Sequence, residues 1–270
     1  WGATLNNAIL AEEKHQPLYA KLASTHPVEY IAGGATLNSI RVAQWMLAND
    51  GKKDASHYIG SIGQDELGHA AMLYAIVAGS GNPDGVEDRS LDALAFDPDP
   101  NRWRSAHLVE VAINEWAHAL VRHWLYDAAE QLRWELVADS TLTPLAEAAG
   151  RAEREEWFHR RHADGLLDAL LQTADAGDRI RTALLDLFPL AVGLFDPVAG
   201  ETEAVSSGVT AAPFDTRLPE WTDRIRQRFG IDLVLDGEPT STGRTTRSNA
   251  FGPLLSRMRE VLDLDAAAIW

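Results

Sequence analysis

Apolar residues recur every three or four positions through most of this chain, the spacing of one buried face on an α-helix. Over residues 28–49 the stripe runs through Ile31, Leu37, Ile40, Val42, Trp45 and Met46 and stops at Asn49-Asp50-Gly51. A second helix is expected over Lys53–Ala78, ended by Gly79-Ser80-Gly81-Asn82-Pro83. Gly79–Asn101, acidic and holding three of the twelve prolines, reads as a long crossover loop. Further helices are expected near 103–137, 143–174 and 178–195, with Thr141 or Thr143 as an N-cap before Pro144 and Asp196-Pro197 closing the last. No stretch alternates like a β-strand.

Two antiparallel helix pairs joined by a long connection predict an all-α fold of the ferritin-like four-helix-bundle type. The first 26 residues form an extra N-terminal segment, a short helix broken at Pro17. Residues 197–252 are rich in Gly, Pro, Ser and Thr, with one helix around Leu218–Phe229, and Pro253–Leu264 is a terminal amphipathic helix. This arm has too few apolar residues for a core of its own. The expectation is therefore one domain over 1–270: an extension (1–26), a bundle (28–196) and a packed arm (197–270).

The composition, 46% hydrophobic and 24% charged, is that of an ordinary globular chain and excludes a disordered one. The most apolar run, Leu184–Phe195, is interrupted by Asp186 and Pro189, so it does not read as a membrane span. The opening Trp1-Gly2-Ala3 shows no basic region followed by an apolar stretch, so no secretory signal is expected, and the lack of cysteine is consistent with a cytoplasmic home. A formal charge of −16 repels nucleic-acid phosphates and anionic membranes, so neither is an expected partner. With no cysteine, any metal must be held by His and carboxylate.

That chemistry has a clear candidate. Glu-x-x-His occurs four times, at Glu12/His15, Glu66/His69, Glu115/His118 and Glu156/His159, where random placement of 18 glutamates and nine histidines gives fewer than one. Residues three apart share one helix face, so a carboxylate and an imidazole can meet one ion without bending the backbone. Any single pair is more simply a surface ion pair. Three pairs on three predicted bundle helices, with His69 beside Ala70, Ala71, Met72 and Leu73 and Glu115 beside Ile113 and Trp116, point to metal. The candidate ligands are Glu66, His69, Glu115, Glu156 and His159.

Di-iron bundles of this type also take a carboxylate from the first helix. Glu66 lies about 18 Å from the first hairpin at a rise of about 1.5 Å per residue, so the facing level falls near Asn38, with Thr36 nearby. Neither is a carboxylate, and Glu29 lies too far along. This vertex is expected to be weak, or to be filled by Glu12 or Glu13 folding back.

Gln64-Asp65-Glu66-Leu67-Gly68-His69 followed by Leu73-Tyr74, and Glu155-Glu156-Trp157-Phe158-His159, resemble the second- and fourth-helix motifs of the catalytic subunit of bacterial phenylacetyl-CoA epoxidase. Phe251-Gly252-Pro253-Leu254-Leu255 with Met258 and the closing Trp270, and Leu194-Phe195-Asp196, resemble instead its scaffold subunit, over a span from about 28 to 270. The resemblance implies a multicomponent non-haem di-iron monooxygenase of phenylacetate catabolism. It implies two irons per chain, of which the first-helix vertex would leave one site weak, with O₂ as co-substrate and an aromatic acyl-CoA as the small-molecule substrate. It also implies a reductase component and homo- or hetero-oligomeric assembly. The alternative is a metal-free or metal-silent scaffold subunit of such an oxygenase.

Overall fold

The computed structural model describes residues 53–79, 94–113, 115–231, 233, 244–260 and 263. The predicted N-terminal segment, the helix over 28–49 and the residues named there (Glu12, Glu13, Glu29, Thr36, Asn38), most of the crossover loop and Trp270 lie outside them. The chain forms two compact units, 1–61 and 62–270, and the second carries the bundle.

The described residues are all-helical, in the manner of a ferritin-like bundle. Helix α1 spans Lys53–Gly79, α2 His107–Glu110, α3 Trp116–Val137, α4 Thr143–Leu170, α5 Ala174–Val192, α6 Glu201–Ser206, α7 Leu218–Phe229 and α8 Phe251–Arg259. Helix α3 packs along both α4 and α5. Its fully buried Leu120, Val121, Leu125 and Leu132 meet a core completed by Leu167 of α4 and Ile180 and Leu184 of α5. Several α4 contacts are alanines (Ala148, Ala149, Ala152, Ala163), which lets the helices approach closely. Among the described residues no helix is long and apolar enough to cross a membrane.

The expected helix over 103–137 is two. A 3-10 turn at Pro100–Arg102 and the single turn of α2 precede a break, and the long helix starts only at Trp116. Two contacts account for this. Glu110, fully buried, is pulled to the C-terminal arm, where it accepts from Arg247 Nη1 and from the Ser248 backbone N–H at 2.7 Å. Glu115 has extended backbone and accepts from the N–H groups of Ala117 (2.9 Å) and His118 (3.2 Å), the geometry of an N-cap. The N-cap of α4 is likewise neither predicted threonine. Leu142 holds that position without a side-chain bond, Thr143 is already helical, and Thr141 Oγ1 donates to Ser207 O at 3.0 Å.

Residues beyond Pro197 lie on the bundle. The indole of Trp221 is fully buried, stacks on Phe188 at 5.7 Å and donates to Leu125 O at 3.0 Å. Phe195 stacks on Phe214 at 4.4 Å, and Phe251 meets Trp103 edge-on at 5.4 Å. Helix α7 has the bounds expected of it, ending where Gly230 takes the left-handed conformation at φ 66°.

Candidate metal centre

Three helices bring six metal-ligating side chains together. Ligand atoms of Glu66, His69, Glu130 and Glu156 all lie within 4.8 Å of one another, as do those of Asp127, Glu156 and His159. Glu156 belongs to both groups. Glu66 and His69 come from α1, Asp127 and Glu130 from α3, and Glu156 and His159 from α4. Each pair is spaced i,i+3, so each helix presents two ligands on one face.

The two histidines are turned the same way. Nδ1 of His69 lies 3.5 Å from Glu156 Oε1 and 4.0 Å from Glu66 Oε2. Nδ1 of His159 lies 3.4 Å from Glu156 Oε1 and 3.6 Å from Glu66 Oε1. The far ring nitrogens are held from the opposite helix: His69 Nε2 donates to Glu155 at 2.8 Å, and His159 Nε2 donates to Asp65 at 3.0 Å. Asp65 and Glu155 each precede the glutamate of their own motif. A carboxylate can only accept, so each Nε2 carries its proton and each Nδ1 faces inward.

The interior is apolar and acidic at once. His69 meets Trp134 edge-on at 6.0 Å, and Trp134 packs with Ala149 and Ala152. Burial drives the Asp127 and Glu130 carboxyls far above the ordinary carboxylate range, reinforced by Glu156 and Glu66. Burial pulls His159 down, but the neighbouring carboxylates of Glu156, Glu66 and Asp65 outweigh it and push it up to about 11. Burial and the nearby His159 press His123 down to about 4, and its Nε2 lies 2.7 Å from Asp127 Oδ2. Both oxygens of Glu156, Oε1 of Glu66, Oε2 of Glu130 and the Nδ1 atoms of His69 and His159 are buried without a hydrogen bond. Buried polar atoms are rarely left so. Cations held among them would satisfy these atoms, so the residues fit a metal.

Of the five ligands expected from sequence, four stand at this cluster and Glu115 does not. It caps α3, is tied to Arg179, and lies 3.2 Å from His118 Nδ1. Along α3 it is 15 residues from Glu130, or about 22 Å at the helical rise. The helix instead contributes Asp127 and Glu130, set among Leu125, Tyr126, Ala128, Ala129 and Leu132. That apolar setting is the same signal that marked Glu115.

The family described as phenylacetic acid catabolic protein matches residues 55–270, beginning at 55 rather than near 28. Residues 1–75 match the pfkB family of carbohydrate kinases. There the chain is 59% identical over 75 residues to adenosine kinase 2 of Arabidopsis thaliana, covering 28% of this chain and 21% of that one. It is 53% identical over 62 residues to adenosine kinase of Dictyostelium discoideum, covering 23% and 17%. The chain thus spans about a fifth of the length of the curated relatives it matches. The two family matches share residues 55–75, which include Glu66 and His69.

Proposed function

Because the chain belongs to the phenylacetic acid catabolic protein family, we propose that its second unit is the metal-binding part of a non-haem di-iron oxygenase. The observation that carries this reading is Glu156, 1% exposed, with both oxygens lacking a hydrogen bond and one of them within 3.5 Å of both inward-facing Nδ1 atoms. Glu66, His69 and Glu130 would hold one ion and Asp127 and His159 the other, with Glu156 between them. Four carboxylates balance the charge of two divalent ions, which an apolar interior requires. Nitrogen and oxygen donors without thiolate suit iron. When bound, two ferrous ions supply electrons and open coordination positions for O₂.

The chain's own residues do the rest. Asp65 and Glu155 orient the imidazoles, while Trp134, packed with Ala149 and Ala152, gives one side of the site an apolar wall. Asp127 and Glu130 on α3 provide the carboxylates otherwise sought near Asn38, so this arrangement needs none from residues 28–49. A reductase and partner subunits belong to the reading, as does the aromatic acyl-CoA substrate that the motifs imply. The similarity to adenosine kinases covers about a fifth of those proteins and carries no activity into it.

A partner surface is needed by this reading and equally by the second, a metal-silent scaffold subunit. Trp157 and Phe158 are 48% and 66% exposed and in edge contact at 4.9 Å, an apolar surface suited to another chain. Anaerobic loading with Fe(II) separates the two. The oxygenase reading expects close to two irons per chain, abolished by His69→Ala with His159→Ala. A chain that takes up no iron overturns the oxygenase reading and leaves the scaffold.

A further inference from the structure

A cavity of about 210 Å³ runs between α3 and α4 and has Glu156 in its wall. An apolar cavity of about 150 Å³ is enough to hold benzene, so this one has room for a compact ring with a substituent. Its apolar walls are made by Trp134 of α3, Ala138 at the C-cap of that helix, and Ala146, Ala149 and Gly150 of α4. Gln131, Glu135, Glu153 and Arg160 stand beside them. Small residues thus line its α4 side, and three features there bear on what could occupy it.

Gly150 is the first. It is the eighth residue of a 28-residue helix, where glycine is less stable than alanine. Its backbone φ is not positive, and a Cβ built on it meets nothing within 4 Å. Neither backbone conformation nor packing therefore calls for glycine; the missing side chain leaves open space. The second feature is Trp134, 6% exposed, whose indole N–H is buried without an acceptor. A buried donor without a partner is costly, and a ligand oxygen would relieve it. The third is charge. Glu135, Glu153 and Glu156 line the cavity against a single guanidinium, Arg160, in a chain of formal charge −16. An anionic group is disfavoured there.

We propose that this cavity takes a compact, uncharged apolar group carrying one hydrogen-bond-accepting oxygen, that Gly150 keeps it open, and that Trp134 supplies the donor. The proposal deepens the metal-centre reading, since the group would lie against Glu156, but its test does not depend on metal.

Metal-free protein is titrated with acetophenone, toluene and benzoate by ligand-observed NMR, and iron uptake is measured on the same preparations. Acetophenone and toluene bind the wild-type chain and benzoate does not. Gly150→Leu, which places a strong helix former in open space, abolishes acetophenone binding while iron uptake stays at the wild-type level. Trp134→Phe weakens acetophenone by about threefold to tenfold, the worth of one hydrogen bond, and leaves toluene unchanged. The proposal is overturned if acetophenone fails to bind the wild-type chain or binds Gly150→Leu equally well. Benzoate binding as tightly as acetophenone overturns the uncharged class, and equal losses of both neutral probes in Trp134→Phe overturn the role of the indole. Iron uptake failing in a chain that binds acetophenone defeats the metal reading alone.

Discussion

Asp65 on α1 holds His159 on α4: its carboxylate accepts the Nε2–H at 3.0 Å and turns Nδ1 toward Glu156. The reverse link, Glu155 on α4 to His69 on α1 at 2.8 Å, makes the two motifs reciprocal. Each motif thus aims the other's ligand. Carboxylates behind metal-bound histidines are worth roughly 10- to 100-fold in affinity. Asp65→Ala and Glu155→Ala are therefore expected to weaken Fe(II) binding by that factor, measured against a competing chelator. Both side chains are nearly half exposed, so helix content should not change.

Glu115 and Glu130 separate capping from metal binding. Glu115→Ala removes the cap of α3 and should lower stability by about 1 kcal/mol, with iron content untouched. Glu130→Gln preserves shape and should do the reverse, cutting iron uptake while leaving the melting temperature of the metal-free chain within a few degrees. Thermal denaturation with iron analysis reads both; iron loss in Glu115→Ala would defeat the assignment.

Metal uptake should release protons. His159, pushed up to about 11 by its carboxylate neighbours, holds a proton in the metal-free protein at neutral pH, and burial shifts Asp127 and Glu130 toward their protonated forms. An ion must displace these protons. Fe(II) affinity should climb as pH rises from 6 to 8, and the calorimetric heat should scale with the ionisation enthalpy of the buffer. A heat independent of buffer would contradict this.

The surface pair at the start of α3 has its own pH window. Burial, the largest single effect, lowers His118, but Glu115 and Asp186 together hold it above its ordinary 6.5. Burial opposes, while His118 and Arg179 hold Glu115 below its ordinary 4.5. The His118 contribution to stability is complete below pH 6.5 and fades as pH rises through the folded value. That of Glu115 is present above 4.5 and fades as pH falls through its own. The pair is therefore strongest between these limits. NMR titration of His118 should give a value above 6.5 that falls back in Glu115→Gln.

The sequence alone determined the helices that carry the motifs, because a 3.6-residue repeat of apolar positions and a Glu-x-x-His pair on one face are local facts. It determined α1 and α7 nearly to their ends, since the apolar repeat runs out at Gly79-Ser80-Gly81 and Gly230 takes the left-handed conformation after Phe229. It also marked Glu66, His69, Glu156 and His159, now within reach of one another. What it left open was partly legible. The rise of about 1.5 Å per residue puts Glu156 about 20 Å from the α3–α4 hairpin, Asp127 about 15 Å and Glu115 about 33 Å. That register already favours Asp127 and Glu130. Only the tertiary structure decided the break before Trp116, because it rests on Arg247, 137 residues away in sequence, drawing Glu110 out of line. Only the fold, likewise, could set Asp65 behind His159 and leave Gly150 facing empty space. Such relationships depend on which side chains meet across helices, and a one-dimensional pattern does not carry that.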